Sequence, residues 1–296
     1  MEFTSTTAHD RYDAFVAAAD SAVIGLDMDG TLSPIVEDPE LAHIHPEAPE
    51  ALAALAPHVR ALAIITGRPA RQALALGGLD EVGDTIGDLG RELFVLGQYG
   101  NERWSSSARR IISPRPPQGL ASFEAELGSL LRRADATDAF VEEKGLAVAV
   151  HTRRLPDPEG AFERIEPPLT ELAKRYGLVI EPGRNVLEVR APGMDKGAAI
   201  RRLTEELDAG AFCFAGDDLG DLEAFAAVEE LRDDGMPTLL VCSESHEQSA
   251  LRERADVVVS GPDGVVALLR RIAADATAFR TNSELWRTVR QRRRSR

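Results

Sequence analysis

Short apolar runs that alternate with helix-length stretches constrain this chain more than any other feature. Runs of strand length fall at Ala22–Leu26, Leu62–Ile65 and Leu93–Leu96, and the series resumes at Phe212–Ala215, Thr238–Val241 and Val257–Val259. A strand buried on both faces reads as a continuous apolar run, and parallel neighbours need a helical crossover between them. Helical patterns do lie between the runs, from near Pro46 and at 196–207, 219–228 and 263–273. The expectation is an α/β core, a doubly wound parallel sheet.

The rhythm changes between about Trp104 and Met194. Helix Leu120–Arg133, strands near Phe140–Glu142 and Leu146–Thr152, helix Glu159–Tyr176 and strands Leu178–Ile180 and Asn185–Arg190 follow one another in αββαββ order. Consecutive strands pair without helical crossovers, so this stretch reads as a separate α+β domain inserted into the core. The proline-rich segment SPRPPQG at 113–119 is a stiff approach to it. The expected division is 1–103 with 194–296 for the core and 104–193 for the insertion. The basic tail 287–296 is expected to be frayed and disordered.

Composition excludes several functions. The net charge of −15 speaks against a nucleic-acid partner, because it repels polyanions over most of the surface. The opening MEFTSTTAHDRYD has acidic residues where a secretory leader needs a basic and then an apolar stretch, and no window has the apolar length of a membrane span. The expectation is a cytoplasmic protein with no membrane partner; the oligomeric state is open, a monomer being compatible. Cys213 and Cys242 sit inside apolar runs and read as reduced, buried thiols.

Chemistry concentrates where the runs end. In VIGLDMDGTLSP an apolar strand stops at Asp27 and is followed by Asp29, Gly30 and Thr31. Two carboxylates one residue apart, in a turn loosened by glycine, can address one ligand in different roles. The second run ends in Thr66-Gly67-Arg68, a hydroxyl donor followed by a glycine that lets an anion approach the backbone. Lys196 opens a helical stretch and offers a point charge to a phosphate. Asp217 and Asp218 follow another apolar run and are hard oxygen ligands of the kind Mg²⁺ takes. Singly, each has a plainer reading: an acidic turn, a helix cap, a surface lysine, a capped helix start.

Together, Asp-x-Asp-Gly-Thr, Thr-Gly-Arg, Lys-Gly and Gly-Asp-Asp, in this order, resemble the four motifs of the haloacid dehalogenase-like phosphatases. The resemblance covers 1–103 and 194–296 and implies a Rossmann-like core, Mg²⁺ as cofactor and phosphoryl transfer to an aspartate. On it, Asp27 is the nucleophile, Asp29 the general acid and base, and Thr66 and Lys196 complete the catalytic set. Gly30, Thr31, Gly67 and Arg68 lie against the phosphate, and Asp27, Asp29, Asp217 and Asp218 hold the metal, Asp29 through its backbone carbonyl.

A narrower resemblance lies between those motifs. LSPIVEDPELA, LGQYGNERW, KGLAVAVHTR and NVLEVRAPGMDKG are similar to trehalose-6-phosphate phosphatases. That likeness implies that the insertion is a cap over a sugar-phosphate substrate, and that Asn101, Glu102, Lys144, His151, Arg153, Glu188 and Arg190 contact the sugar or lie near the phosphate. Each could also be a solvated charge, and His151 a satisfied core histidine. Two positions depart from the family pattern: Tyr99 stands where histidine is usual, and Gly220 where a threonine hydroxyl is. Asp221 still supplies a supporting carboxylate. The rivals are a phosphatase for sucrose phosphate or mannosyl-phosphoglycerate, a phosphomutase, and a non-catalytic sugar-phosphate-binding partner domain.

Overall fold

The computed structural model describes residues 1–36, 38–183, 185–244 and 251–294, with side chains described as far as 282. In chain order, β1 (Glu2–Phe3) and α1 (Thr6–Ala17) lead into β2 (Ala22–Leu26), α2 (Ala48–Leu55), β3 (Ala61–Ile65), α3 (Ala70–Gly77), α4 (Leu79–Asp88), β4 (Glu92–Gly97) and β5 (Glu102–Ser105). Then come α5 (Leu120–Arg133), β6 (Phe140–Glu143), β7 (Ala147–His151), α6 (Pro158–Arg175), β8 (Val179–Gly183) and β9 (Val186–Arg190). The chain closes with α7 (Lys196–Glu206), β10 (Ala211–Gly216), α8 (Leu222–Asp233), β11 (Thr238–Glu244), β12 (Val257–Ser260) and α9 (Gly261–Arg294). Two compact units result, one of Met1–Ile112 with Asp195–Arg296 and one of Ser113–Met194.

The first unit is built on an eight-stranded sheet ordered β1-β12-β11-β10-β2-β3-β4-β5. Its six inner strands are parallel, and the short edge strands β1 and β5 run antiparallel to their neighbours. Successive residues of each inner strand serve opposite faces. Ile24, Leu26, Leu62, Ile64, Cys213 and Val241 join a core with α1, α2, α3, α4 and α9. Val23, Ala63, Ile65, Phe214 and Leu240 join a second core with α7 and α8. The doubly wound architecture follows directly from strands that are apolar at every position. Both cysteines are buried.

β5 and the segment after it belong to this unit, because Gly97 to Phe94 pair with Glu102 to Ser105 and Arg103 bridges to Ile112. The division therefore falls at Ile112, nine residues beyond where the change of rhythm alone puts it. The tail is also drawn differently from the frayed end expected: the backbone of α9 is helical to Arg294. Arginine and glutamine are good helix formers, and no Gly or Pro interrupts the stretch. The end of the expected tail, 295–296, lies outside the described residues.

The second unit is α+β in the expected αββαββ order. Its antiparallel sheet is ordered β6-β7-β9-β8, and α5 and α6 cover one face. Val148, Val150, Leu187 and Val189 point to the helices and meet Phe123, Leu127, Ile165 and Leu169. Helix α6 contains Pro167 and Pro168, yet Ala161, Ile165, Leu169, Leu172 and Ala173 keep a buried stripe through them. Packing of that stripe overrides the loss of two amides. By register, the other face of the sheet carries Phe140, Glu142, His151, Glu188, Arg190 and Glu181.

Candidate active site

Three neighbouring strands deliver the site. β10, β2 and β3 lie side by side, and the connections leave β2 in one direction and return at β10 from the other, which makes this the topological switch point of the sheet. Asp27 follows β2, Thr66 follows β3 and Asp217 follows β10, so three carboxyl ends present their side chains together.

The turn after β2 is closed by Leu32 N–H and Ser33 N–H, both donating to Met28 O at 2.8 Å, by Gly30 N–H donating to Ser33 O at 2.8 Å, and by the Ser33 hydroxyl. Those closures leave the amides of Met28, Asp29 and Thr31 unused within the turn. Gly30 has φ +72°, and a Cβ there would lie 2.0 Å from an Asp217 oxygen, so only glycine lets the two segments approach. Thr31 Oγ1 is buried with no hydrogen-bond partner among the described residues, a polar atom that a ligand oxygen would satisfy.

Lys196 is the first residue of α7, whose N-cap Asp195 accepts from Ala198 N–H at 2.7 Å. Its ammonium donates to Asp27 Oδ1 and to Asp221 Oδ1, both at 2.6 Å, and all three residues are buried. Asp221 also accepts from Asp217 N–H through its other oxygen at 3.0 Å. One carboxylate oxygen from each of Asp27, Asp217 and Asp221 lies within 4.8 Å of the others. Burial, reinforced by Asp27, Asp218 and Asp221, pushes the Asp217 carboxyl up to about 10. Burial also raises Asp27 well above the usual range, against the pull of Lys196. Burial alone would lower Lys196, but Asp221 and Asp27 outweigh it and hold the ammonium well above its ordinary value. Ionised together, the three buried carboxylates against one ammonium would carry a net −2, which a dication with a preference for hard oxygen would balance in place of the protons. The donor set fits Mg²⁺.

Asp29 and Asp218 stand differently from those three. The Asp29 carboxylate is gripped by the fork of Arg68, whose Nε and Nη2 donate to its two oxygens at 2.6 Å each, while Arg68 Nη1 donates to Pro39 O at 2.9 Å. Asp218 is exposed and caps the short turn before α8 by accepting from Gly220 N–H at 2.8 Å. Thr66 is buried, and its hydroxyl accepts from Arg68 N–H at 3.1 Å. Arg68 is thus brought to the Asp29 carboxylate, where the resemblance implied a substrate contact.

The loop after β4 clamps the Thr66–Ala70 segment. Gln98 N–H donates to Arg68 O and Tyr99 N–H to Thr66 O, at 2.8 and 2.9 Å, and the Glu102 carboxylate accepts from Ala70 N–H at 2.7 Å. Gln98 and Tyr99 have φ of 49° and 59°, a strained pair held by those bonds. The Tyr99 ring lies against Gly67, where a Cβ would come 2.9 Å from it. Asn101 folds back onto Gln98 O at 2.8 Å. Asn101 and Glu102 therefore belong to the core unit.

In the second unit, Lys144 pairs with Glu188 at 2.5 Å, and Glu188 Oε1 is buried without a hydrogen-bond partner among the described residues. Arg190 donates to Glu181 at 2.8 Å, and His151 Nε2 lies 3.0 Å from Glu142. Arg153 is exposed. Asp221, expected as a supporting carboxylate, lies among the buried carboxylates, bonded to the Lys196 ammonium and to Asp217 N–H. One side chain beside the site escaped sequence reasoning. Ser243, at the end of β11, donates to Gly30 O at 2.7 Å, and only the strand order brings it there.

Fold and site together define an α/β architecture of the haloacid dehalogenase-like type, and known proteins agree. The family described as Trehalose-phosphatase matches residues 25–88 and 130–258, so the chain belongs to the trehalose-phosphatase family. It is 32% identical over 275 residues to an uncharacterized glycosyl hydrolase of Mycobacterium tuberculosis, covering 89% of this chain and 19% of that protein. It is 30% identical over 224 residues to the probable trehalose-phosphate phosphatase 9 of Oryza sativa subsp. japonica, covering 73% of this chain and 58% of that one. The chain thus spans about a fifth of the first relative and under two thirds of the second. The structure of the C-terminal domain of the Candida albicans trehalose-6-phosphate phosphatase superposes with a TM-score of 0.71 at 20% identity, covering 92% of this chain and 98% of that one.

Proposed function

We propose that this chain hydrolyses trehalose 6-phosphate to trehalose and phosphate, with Mg²⁺ as cofactor and an aspartyl phosphate at Asp27 as intermediate, in trehalose biosynthesis. The observation that carries the reading is the placement of Asp27 at the switch point, bonded to Lys196 and within 4.8 Å of Asp217 and Asp221. Family membership supports the sugar. Mg²⁺ would be held by Asp27, Asp217 and the Asp29 backbone carbonyl, with Asp218 and Asp221 in support; when bound it neutralises charge on the transferring phosphoryl oxygens.

Asp27 attacks phosphorus in line, and the bond from phosphorus to the sugar oxygen breaks. That oxygen leaves with the bonding pair and takes a proton from Asp29. Asp29 then removes a proton from the water that attacks the aspartyl phosphate, releasing phosphate and restoring both carboxyl groups. Arg68 grips both Asp29 oxygens in the resting site, and Asp29 carries that proton on the oxygen that Arg68 gives up. Lys196, Thr66, Thr31 and the unused amides after Asp27, with Gly30 and Gly67 giving room, bind the remaining phosphoryl oxygens, preorganised electrostatics of the sort that carries most of such catalysis.

Within this reading Lys144, His151, Arg153, Glu188 and Arg190 of the second unit recognise sugar hydroxyls, and Asn101 and Glu102 are further candidates for substrate contact. The unsatisfied oxygen of Glu188 supports a hydroxyl donor there. The enzyme is taken as cytoplasmic; among the described residues no helix is long and apolar enough to cross a membrane. Phosphate release measured over a panel of sugar phosphates, with and without Mg²⁺, tests the proposal. Release from trehalose 6-phosphate well above sucrose phosphate and mannosyl-phosphoglycerate, and abolished by chelation, is the expected result. Equal release from all of them would remove the sugar assignment.

A further inference from the structure

Ser243 lies at the end of β11, level with Asp217 on the neighbouring strand, since Cys242 pairs with Gly216. Its side chain is fully buried, and its hydroxyl donates to the carbonyl of Gly30 at 2.7 Å. Gly30 packs so close to the Asp217 carboxylate that a Cβ there would lie 2.0 Å from it, and its peptide is bonded on the carbonyl side by Ser243. In a trans peptide the carbonyl and the next N–H point in opposite directions. Anchoring Gly30 C=O on β11 therefore fixes the Thr31 N–H, and with it the turn that carries Asp27 and Asp29.

We infer that Ser243 is a positioning residue for phosphoryl transfer: its hydroxyl holds the Asp27–Thr31 turn in register with Asp217. The inference rests on the proposal that Asp27 is the nucleophile. Sequence separation of 213 residues means that the bond ties the first motif to a strand that carries none of the catalytic groups. Loss of the hydroxyl leaves a buried carbonyl without its donor, and the turn can then rotate away from the geometry that the chemistry needs. Displacement of reacting groups by about 1 Å suffices to slow a reaction by about 100-fold, so the effect belongs in kcat.

The test compares Ser243→Ala, Ser243→Thr and Leu239→Ala in the full chain. Leu239 is buried on the same strand, far from the turn, and serves as a control for destabilisation. Steady-state kinetics are taken with para-nitrophenyl phosphate and with trehalose 6-phosphate, well below each variant's unfolding midpoint. Ser243→Ala is expected to lower kcat for the aromatic ester by about tenfold or more with KM within about twofold, and Ser243→Thr to recover most of it. Leu239→Ala is expected to lower the unfolding midpoint and leave kcat unchanged. Undiminished kcat in Ser243→Ala, or an equal loss in Leu239→Ala, would overturn the inference. Turnover of the aromatic ester without turnover of trehalose 6-phosphate would reject the sugar assignment alone and leave the Ser243 comparison intact.

Discussion

Burial of Asp217 beside Asp27, Asp218 and Asp221 raises its carboxyl from 3.8 to about 10, and the sign of that shift dictates a pH dependence. Between those two values Asp217 is protonated in the folded protein and ionised in the unfolded chain, so its contribution to stability is fullest below pH ~4 and is lost as the pH rises towards 10. Asp27 shifts in the same direction. Thermal unfolding of the metal-free protein followed from pH 5 to pH 9 should therefore show a falling midpoint, apart from the titration of other groups. Added Mg²⁺ should reduce the fall, because a dication replaces the proton, and Asp217→Asn should reduce it without metal. A midpoint equally steep in Asp217→Asn would contradict this account of the crowding. At the same scale, Asp27, Asp29, Thr66, Lys196 and Asp217 were legible because each ends a strand or starts a helix in a short motif. Arg68 was legible as a site residue, but its partner was not, since the bond to Asp29 spans 39 residues.

Elements were legible where an apolar pattern was continuous. α5, α6, α7 and the inner strands are found within two residues of the bounds that periodicity predicts, except that β11 runs three residues further, to Glu244. β1 and β5 were not seen: one has two residues, and the other, Glu102–Ser105, is an edge strand with Trp104 its one apolar residue. α1 has its buried Ala8, Tyr12, Phe15 and Val16 on one face, but the polar residues between them dilute the stripe. α9 was expected to stop at 273, but its later turns bond side chains and backbone far away in sequence, Asp275 with Tyr12 and Arg280 with Pro57 among them. Another partner is His58, whose Nδ1 lies 3.0 Å from Arg280 Nη2 and whose Nε2 lies 3.3 Å from Thr277 Oγ1. Burial, with Arg280 and Arg91, lowers the His58 pKa below 6.5. The neutral ring is what the fold accepts, so its contribution is whole above pH 6.5 and is lost as the pH falls through the lowered value. His58→Gln should accordingly lose less stability than the parent chain between pH 7 and pH 5 in denaturant titrations; an identical loss would exclude His58 as a source.

At the scale of the whole molecule, two units with separate cores imply a division of labour. The αββαββ insertion was legible as a unit from its paired strands, while its boundary was not, because the Arg103–Ile112 bridge leaves no mark in hydropathy. If the core performs the chemistry and the insertion selects the sugar, Lys144→Ala and Glu188→Gln should raise KM for trehalose 6-phosphate by about tenfold or more, as loss of a charged hydrogen bond does. Turnover of para-nitrophenyl phosphate should stay within about threefold, since that ester has no sugar to recognise. Equal losses on both substrates would assign these residues a structural role instead.

The claim on which the rest depends is that phosphate passes through the carboxylate of Asp27. Acid quenching during turnover of trehalose 6-phosphate with Mg²⁺, followed by borohydride reduction and peptide mass spectrometry, reads it directly, because an aspartyl phosphate is reduced to homoserine while a free aspartate is not. Homoserine at position 27, formed only with substrate present and missing from Asp27→Asn, is the predicted result. Homoserine at another carboxylate, or steady phosphate release by Asp27→Asn, would contradict it.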